Sequence, residues 1–139
     1  MTIETYLGFD VGTKRTGVAI ANSLTAQASG IDTVRHNKDG STNWLAFDDI
    51  INKHPADLFV IGLPFDKQGE DQEMTFIARS FGRKMAERFG IDVVFVDEYL
   101  SSSEAKNQLK WHYAHSNADR GDVDMRSAQL ILQTWLNES

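Results

Sequence analysis

The 139-residue chain contains no cysteine. That absence excludes a disulfide scaffold, a thiol nucleophile and a Cys-ligated zinc site, and it suits a reducing compartment. Prolines are scarce as well: the two, Pro55 and Pro64, both fall at apparent element boundaries. Long apolar runs are missing, since stretches such as Phe59-Val60-Ile61 are a few residues long, so no membrane-spanning helix is expected. Met1 to Thr5 has no basic start followed by an apolar segment, and no secretory signal is expected. The default expectation is a soluble cytoplasmic protein with no membrane partner. Positive charge is also in short supply. Fourteen Lys and Arg against 20 Asp and Glu give a net charge of −6, which argues against coating nucleic acid by bulk electrostatics. A local patch that grips phosphates, with acids committed to a metal, remains compatible with that balance.

What is present suits one ordinary domain over 1–139. The chain is 41% hydrophobic and 24% charged, without repeats or low-complexity linkers. Tyr6 to Asp10 reads as a strand, Val11 to Thr16 as a wide turn, and Gly17 to Ala21 as the second arm of a hairpin. A third strand is expected near Ile31 to Val34. Thr42 to Lys53 carries Trp44, Leu45, Phe47, Ile50 and Ile51 at helical spacing, with Ser41 or Thr42 as the expected N-cap. Leu58 to Gly62 and Val93 to Val96 are short continuous apolar runs, the pattern of strands buried on both faces. Between them, Asp71 to Phe89 places Met74, Ala78, Phe81, Met85 and Phe89 on one helical stripe, with Gly90 suited to end the helix. Ser101-x-x-Glu104 is a capping box, predicting a helix from Ser102 to about Trp111. His112 to Gly121 reads as a mobile polar loop. A last helix is expected from about Val123 to Leu136, with Ala128, Ile131, Leu132, Trp135 and Leu136 on its apolar face. The order predicts a mixed α/β layer fold: an antiparallel, hairpin-led group of three strands continued by parallel strands through αβ units.

Three acids fall where such a sheet would gather them. Asp10 ends the first strand, Glu98 follows the strand at 93–96, and Asp124 opens the last helix. Ligands in open α/β sheets collect beyond the carboxyl ends of parallel strands. Three carboxylates arriving from separate elements suit Mg²⁺ or Mn²⁺, and a pair of such ions can activate water against a phosphodiester. Each acid also has a plainer reading. Asp10 can be a turn residue, Asp124 or Asp122 a charge favouring the helix N-terminus, and Asp97 or Glu98 the solvated end of a strand.

The motifs carry a resemblance. Phe9-Asp10-Val11-Gly12-Thr13-Lys14-Arg15-Thr16-Gly17-Val18-Ala19 resembles the N-terminal motif of the YqgF (RuvX) family of RNase H-like proteins. Gly62-Leu63-Pro64 with Gly69, Asp97-Glu98-Tyr99-Leu100-Ser101-Ser102 with Glu104-Ala105, and Asp124 leading into Ser127-Ala128 and Ile131-Leu132-Gln133 continue it in order. Together they span residues 6 to 136. The resemblance implies an RNase H-like five-stranded sheet and a metal-dependent nuclease that matures the 5′ end of the 16S rRNA precursor. The family's acidic positions fall on Asp10, Glu98 and Asp124, which the resemblance makes catalytic and metal-binding, with two Mg²⁺ or Mn²⁺ ions as the implied cofactors. Holliday-junction resolvases are more distantly similar and use four acids; Asp97 or Asp122 is available as a further one.

Two departures make the site more acidic than the family pattern: Tyr99 stands where Arg is usual, and Asp122 where Lys is frequent. Lys14 and Arg15, in the first turn, are candidate phosphate contacts. Arg79 with Arg83, and Lys84 with Arg88, form i, i+4 pairs whose plainer reading is a solvated surface. Trp111, His112, Tyr113 and His115 are candidates for stacking on unpaired bases. The competing functions are a DNA junction resolvase or repair nuclease, and a non-catalytic nucleic-acid or protein-binding module. An actin-like ATPase shares Asp10-x-Gly12-Thr13, yet 139 residues supply only one of the two domains that clasp nucleotide there. The sequence sets no oligomeric state.

Overall fold

A computed structural model describes residues 2–98 and 120–138. Its elements run β1 (Thr5–Val11), β2 (Arg15–Asn22), β3 (Ser29–Arg35), α1 (Trp44–Lys53), β4 (Leu58–Leu63), α2 (Glu73–Phe89), β5 (Asp92–Asp97) and α3 (Arg120–Glu138). The five strands form one sheet in the order β3-β2-β1-β4-β5. β1 pairs antiparallel with β2 and β2 with β3, whereas β1–β4 and β4–β5 are parallel. This is the predicted mixed sheet. The predicted helix at 102–111 and the loop residues 112–119 lie outside the described residues.

Strand alternation divides the apolar residues between two faces. Leu7, Phe9, Val18, Phe59 and Ile61 point to one face and pack against Phe47 and Ile50 of α1 and Ala78, Phe81 and Met85 of α2. This side is rich in aromatic rings: Phe9 meets Phe47, Phe59 and Phe81 edge-on, and Trp44 stacks on Phe81 with planes 7° apart. On the other face Tyr6, Ala19, Ala21 and Val60 meet Ala128, Ile131 and Leu132 of α3. Small residues dominate here, so α3 lies close to the sheet.

Several boundaries differ from the sequence reading. α1 is capped by Asn43, whose side chain accepts the Ala46 N–H, in place of Ser41 or Thr42; Ser41 is occupied with Asn37 and Asp39. Leu45 is 77% exposed, outside the apolar stripe of that helix. The stripe on α2 is as expected, and Gly90 closes the helix with φ 66°. β4 is buried on both faces, but β5 is the sheet edge, with Phe95 41% exposed and Val96 its one buried apolar residue. An apolar run of this kind also occurs on an edge strand whose faces the packed helices cover only in part. α3 starts at Arg120, so Arg120 and Gly121 belong to the helix and Asp124 lies in its second turn.

The surface cations of α2 serve as clamps. Arg79 forms a bidentate pair with Asp71, and Arg88 one with Asp48 while covering the Trp44 ring. These guanidinium hydrogen bonds hold both aspartates below the usual carboxylate range. Two further contacts fix α3 along its length. Thr33 Oγ1 donates to the Gly121 carbonyl at 2.6 Å. Near the other end, Gln133 Oε1 accepts the Ala28 N–H at 3.0 Å and its Nε2 donates to the Ala26 carbonyl at 3.1 Å. Gln133→Ala leaves a part-buried amide without its partner, so it should cost about 1–2 kcal/mol. A thermal melt should record that as a fall of several degrees; an unchanged melt would remove Gln133 from the clamp.

Candidate active site

The site is built at one end of the face covered by α3. Leu7 and Phe9 of β1 point to the α1–α2 side, so Asp10 shares the opposite face with Tyr6 and Gly8. The same alternation separates the adjacent acids after β5: Glu98 follows Val94 and Val96 to the α3 side, and Asp97 falls on the other.

Asp10 stands between two glycines. On β2 its register partner is Gly17. On β4 the Phe9–Ile61 pair brings Gly62 to its other flank, one step further along the strand. A β-carbon at position 17 would lie 1.9 Å from the carbonyl oxygen of Asp124 and 2.4 Å from its carbonyl carbon. The main chain of α3 therefore rests directly on β2 where Asp10 pairs. A β-carbon at position 62 would lie 2.8 Å from Glu98 Cγ and 2.6 Å from Ile131 Cδ1. The bare backbone of Gly62 is the space into which the Glu98 side chain folds back. Two glycines, one on either side of Asp10, thus admit the segments that carry the other two acids.

Asp124 is held by a cation from the first turn. Arg15 Nε donates to Asp124 Oδ2 at 2.6 Å across 109 residues of sequence, with both side chains 20% exposed. Arg15 lies where Gly12 N–H donates to the Arg15 carbonyl and His36 N–H to the Lys14 carbonyl, so the β1–β2 turn is pinned on both sides. Lys14 is exposed on that turn. Asp122, in the first turn of α3, is exposed. Tyr99 and the aromatic cluster at 111–115 lie outside the described residues.

Ser127 is a further feature of the site. It is fully buried, one helical turn past Asp124 and one before Ile131, and its hydroxyl has no hydrogen-bond partner among the described residues. Along α3 it therefore lies between Asp124, which rests on Gly17, and Ile131, which lies against Gly62. Burying an unpaired hydroxyl is unfavourable by about 1–3 kcal/mol, so a polar group belonging beside it would offset that cost. The donor set, three carboxylates with hard oxygens, fits a divalent cation of the Mg²⁺ or Mn²⁺ type in chemistry. Among the described residues no three His, Asp or Glu side chains converge closely enough to enclose an ion. Asp124, turned to Arg15, would have to turn back to complete such a set.

Comparison with solved structures defines the class. RuvC of Thermus thermophilus in complex with a Holliday junction substrate aligns at a TM-score of 0.60, covering 97% of this chain and 94% of that one at 11% identity. The yeast mitochondrial Holliday junction resolvase Ydc2 aligns at 0.51, covering 94% and 77%. The protein has a RuvC-like, RNase H-like fold.

The chain belongs to the RuvX family, whose model, described as "Holliday junction resolvase", matches residues 4–138. A relative from Aeromonas salmonicida (strain A449), named "Putative pre-16S rRNA nuclease", is 40% identical over 138 residues, 99% of this chain and 98% of the relative. One of the same name from Coxiella burnetii (strain Dugway 5J108-111) is 39% identical over 132 residues, 95% of this chain and 92% of the relative.

The acids, Lys14 and Arg15 were candidates from the sequence; Gly62 reads there, with Leu63 and Pro64, as the shape of a strand-to-loop exit, and Gly17 and Ser127 carry no site role. Gly17 and Gly62 sat inside quoted motifs, but a glycine in a strand says only that something approaches closely. Which segment approaches depends on where α3 and Glu98 cross the sheet.

Proposed function

We propose that the protein is a single-domain, divalent-cation-dependent nuclease that hydrolyses phosphodiester bonds in maturing the 5′ end of the 16S rRNA precursor in the cytoplasm. The observation that carries the reading is the glycine-flanked Asp10, with Glu98 and the Asp124 segment brought to its two sides. The names of relatives that match over nearly their full length favour the RNA substrate. Asp10, Glu98 and Asp124 would hold two Mg²⁺ or Mn²⁺ ions, which supply Lewis-acid activation of water and of the leaving oxygen. No side-chain nucleophile is required.

The chain's own residues handle position and charge. Asp10 is held by β1, the central strand of the sheet, with ladders on both sides. Arg15 neutralises Asp124 and keeps its carboxylate from swinging into solvent. A substrate phosphate arriving at the β1–β2 turn meets Lys14 first and then Arg15, whose planar guanidinium can exchange the Asp124 carboxylate for a phosphate oxygen. This predicts a split for Arg15→Gln. Loss of the competing cation should tighten Mn²⁺ binding in calorimetry, while KM for the nucleic acid rises by about tenfold. Weaker Mn²⁺ binding in this variant would mean that Arg15 orders the metal ligands and does not compete for them.

The test of substrate is cleavage of a labelled 16S leader RNA and a four-way DNA junction, each with Mg²⁺ or Mn²⁺ and with chelator. RNA cleavage abolished by chelator is the expected result. The description of the RuvX family model favours a second reading, a junction resolvase, which junction cleavage would establish. Binding of either substrate with no cleavage under any metal would leave a non-catalytic nucleic-acid-binding module.

A further inference from the structure

A cavity of about 310 Å³ opens on the face of the sheet opposite the acids, between α2 and the segment joining β3 to α1. That volume falls at the lower end of the range for small-molecule sites. Val11 and Thr16 line it, the residues that follow Asp10 and Arg15. Neighbours along a strand point to opposite faces, so the cavity lies back to back with the candidate active site at the same end of the sheet.

Its lining combines two kinds of surface. One wall presents Phe76, Ile77 and Phe81 of α2. Phe76 is 59% exposed and Ile77 39%, while Ala78 and Met85 of the same helix are fully buried, so this apolar surface is left uncovered by the core. Apart from Val11, the rest of the lining is polar: Thr16, Ser80 and Lys84, the last two one turn apart on α2, with His36 and Thr42 from the segment joining β3 to α1. The chain has 20 acidic residues, yet no carboxylate lines the cavity among the described residues. An ammonium, an imidazole and hydroxyls without a carboxylate favour an anion, and an apolar wall that includes the exposed Phe76 ring offers a stacking surface for an aromatic ring.

An anionic group joined to a planar ring in a volume this small describes one nucleotide unit. We propose that this cavity is a nucleotide-binding site, with the base against Phe76 and Ile77 and the phosphate held by Lys84 and the hydroxyls of Ser80 and Thr42. The nucleotide is either a free monophosphate or an unpaired nucleotide of a longer strand. The turn carrying Lys14 separates the two sites, so a strand passing around it can occupy both.

The experiment is a titration of the isotopically labelled full-length protein, followed by amide chemical shifts, with AMP, UMP, inorganic phosphate and a short single-stranded RNA. The wild type, Asp10→Asn and Lys84→Ala are compared. Lys84 is exposed, so its truncation leaves the fold intact. The expected result is saturable movement of the Phe76, Ile77, Ser80 and Lys84 amides, retained in Asp10→Asn and weakened about tenfold in Lys84→Ala. Retention in Asp10→Asn separates this site from the proposed nuclease centre. Tighter binding of the mononucleotide than of the RNA assigns a free ligand; tighter binding of the RNA assigns a strand nucleotide. Three outcomes overturn the proposal: no movement at millimolar concentration, equal movement with inorganic phosphate, or equal affinity in Lys84→Ala.

Discussion

Asp10→Asn should lower nuclease turnover by about a thousandfold or more while leaving the melting temperature within a degree or two of wild type. The expected size follows from the charge removed. A carboxylate that binds a catalytic cation contributes several kcal/mol to transition-state stabilisation, and each 1.36 kcal/mol is about a factor of ten in rate. Stability should hold because asparagine is nearly isosteric and Asp10 lies at the end of β1, half-buried, with the strand ladder to Gly17 carried by main-chain atoms. The comparison needs kcat/KM on the cleaved substrate, the thermal melt, and Mn²⁺ binding by calorimetry on the same preparations. Weakened Mn²⁺ binding together with lost cleavage assigns Asp10 to the metal. Cleavage within a few-fold of wild type would sink that assignment and leave the acid as a turn residue.

Gly17→Ala should be among the most destabilising single methyl additions available to this chain, at about 3 kcal/mol. The added carbon would meet main-chain atoms of α3, with the Asp124 carbonyl oxygen at 1.9 Å and the Met125 nitrogen at 3.1 Å. No side-chain rotation relieves a clash with helix backbone. The helix has to lift off β2, at the upper end of the usual cost of overpacking, which is about 1–3 kcal/mol. Gly62→Ala is the informative contrast. There the added carbon meets Ile131 Cδ1 and Glu98 Cγ, both on flexible side chains, so about 1 kcal/mol is expected. Its effect should instead fall on activity, because the added carbon would displace the Glu98 side chain beside Asp10. Denaturant unfolding and cleavage measured on both variants separate the two effects. A Gly17→Ala protein as stable as wild type would mean that α3 does not rest on β2 as described.

The contrast also marks what the sequence could and could not convey. The hairpin, the two αβ units and the acids at strand ends were readable because they depend on local periodicity and on residues within a few positions of one another. Gly90 ended α2 for a purely local reason. β5 misled because its apolar run is the same whether a strand is central or at the edge, and sheet order is a long-range property. Asn43 took the cap from Ser41 and Thr42 because Ser41 was already committed to Asp39 and Asn37. At the site, alternation chose Glu98 over Asp97 only once the facing of β5 was known. The Arg15–Asp124 pair joins positions 109 residues apart, which no spacing rule reaches. The motif resemblance singled out the acids as candidates but could not say that two glycines make their approach possible.

The unequal character of the two sheet faces has a consequence for how the protein fails. Phe9, Phe47, Phe59 and Phe81 belong to the α1–α2 side, and each buried ring of that size contributes about 1.5–3 kcal/mol. The α3 side has one ring pair, Tyr6 against Trp135, and is otherwise fitted together from alanines, a few aliphatics and bare backbone, so it depends more on closeness of fit. Damage there, by heat, oxidation of Met125 or a stray methyl group, would detach a helix and scatter the acids long before the aromatic half gave way. Such a molecule would still look folded by most bulk criteria. Its inactivation would be an early, local event, and the five-stranded sheet with its aromatic backing would outlive the function it carries.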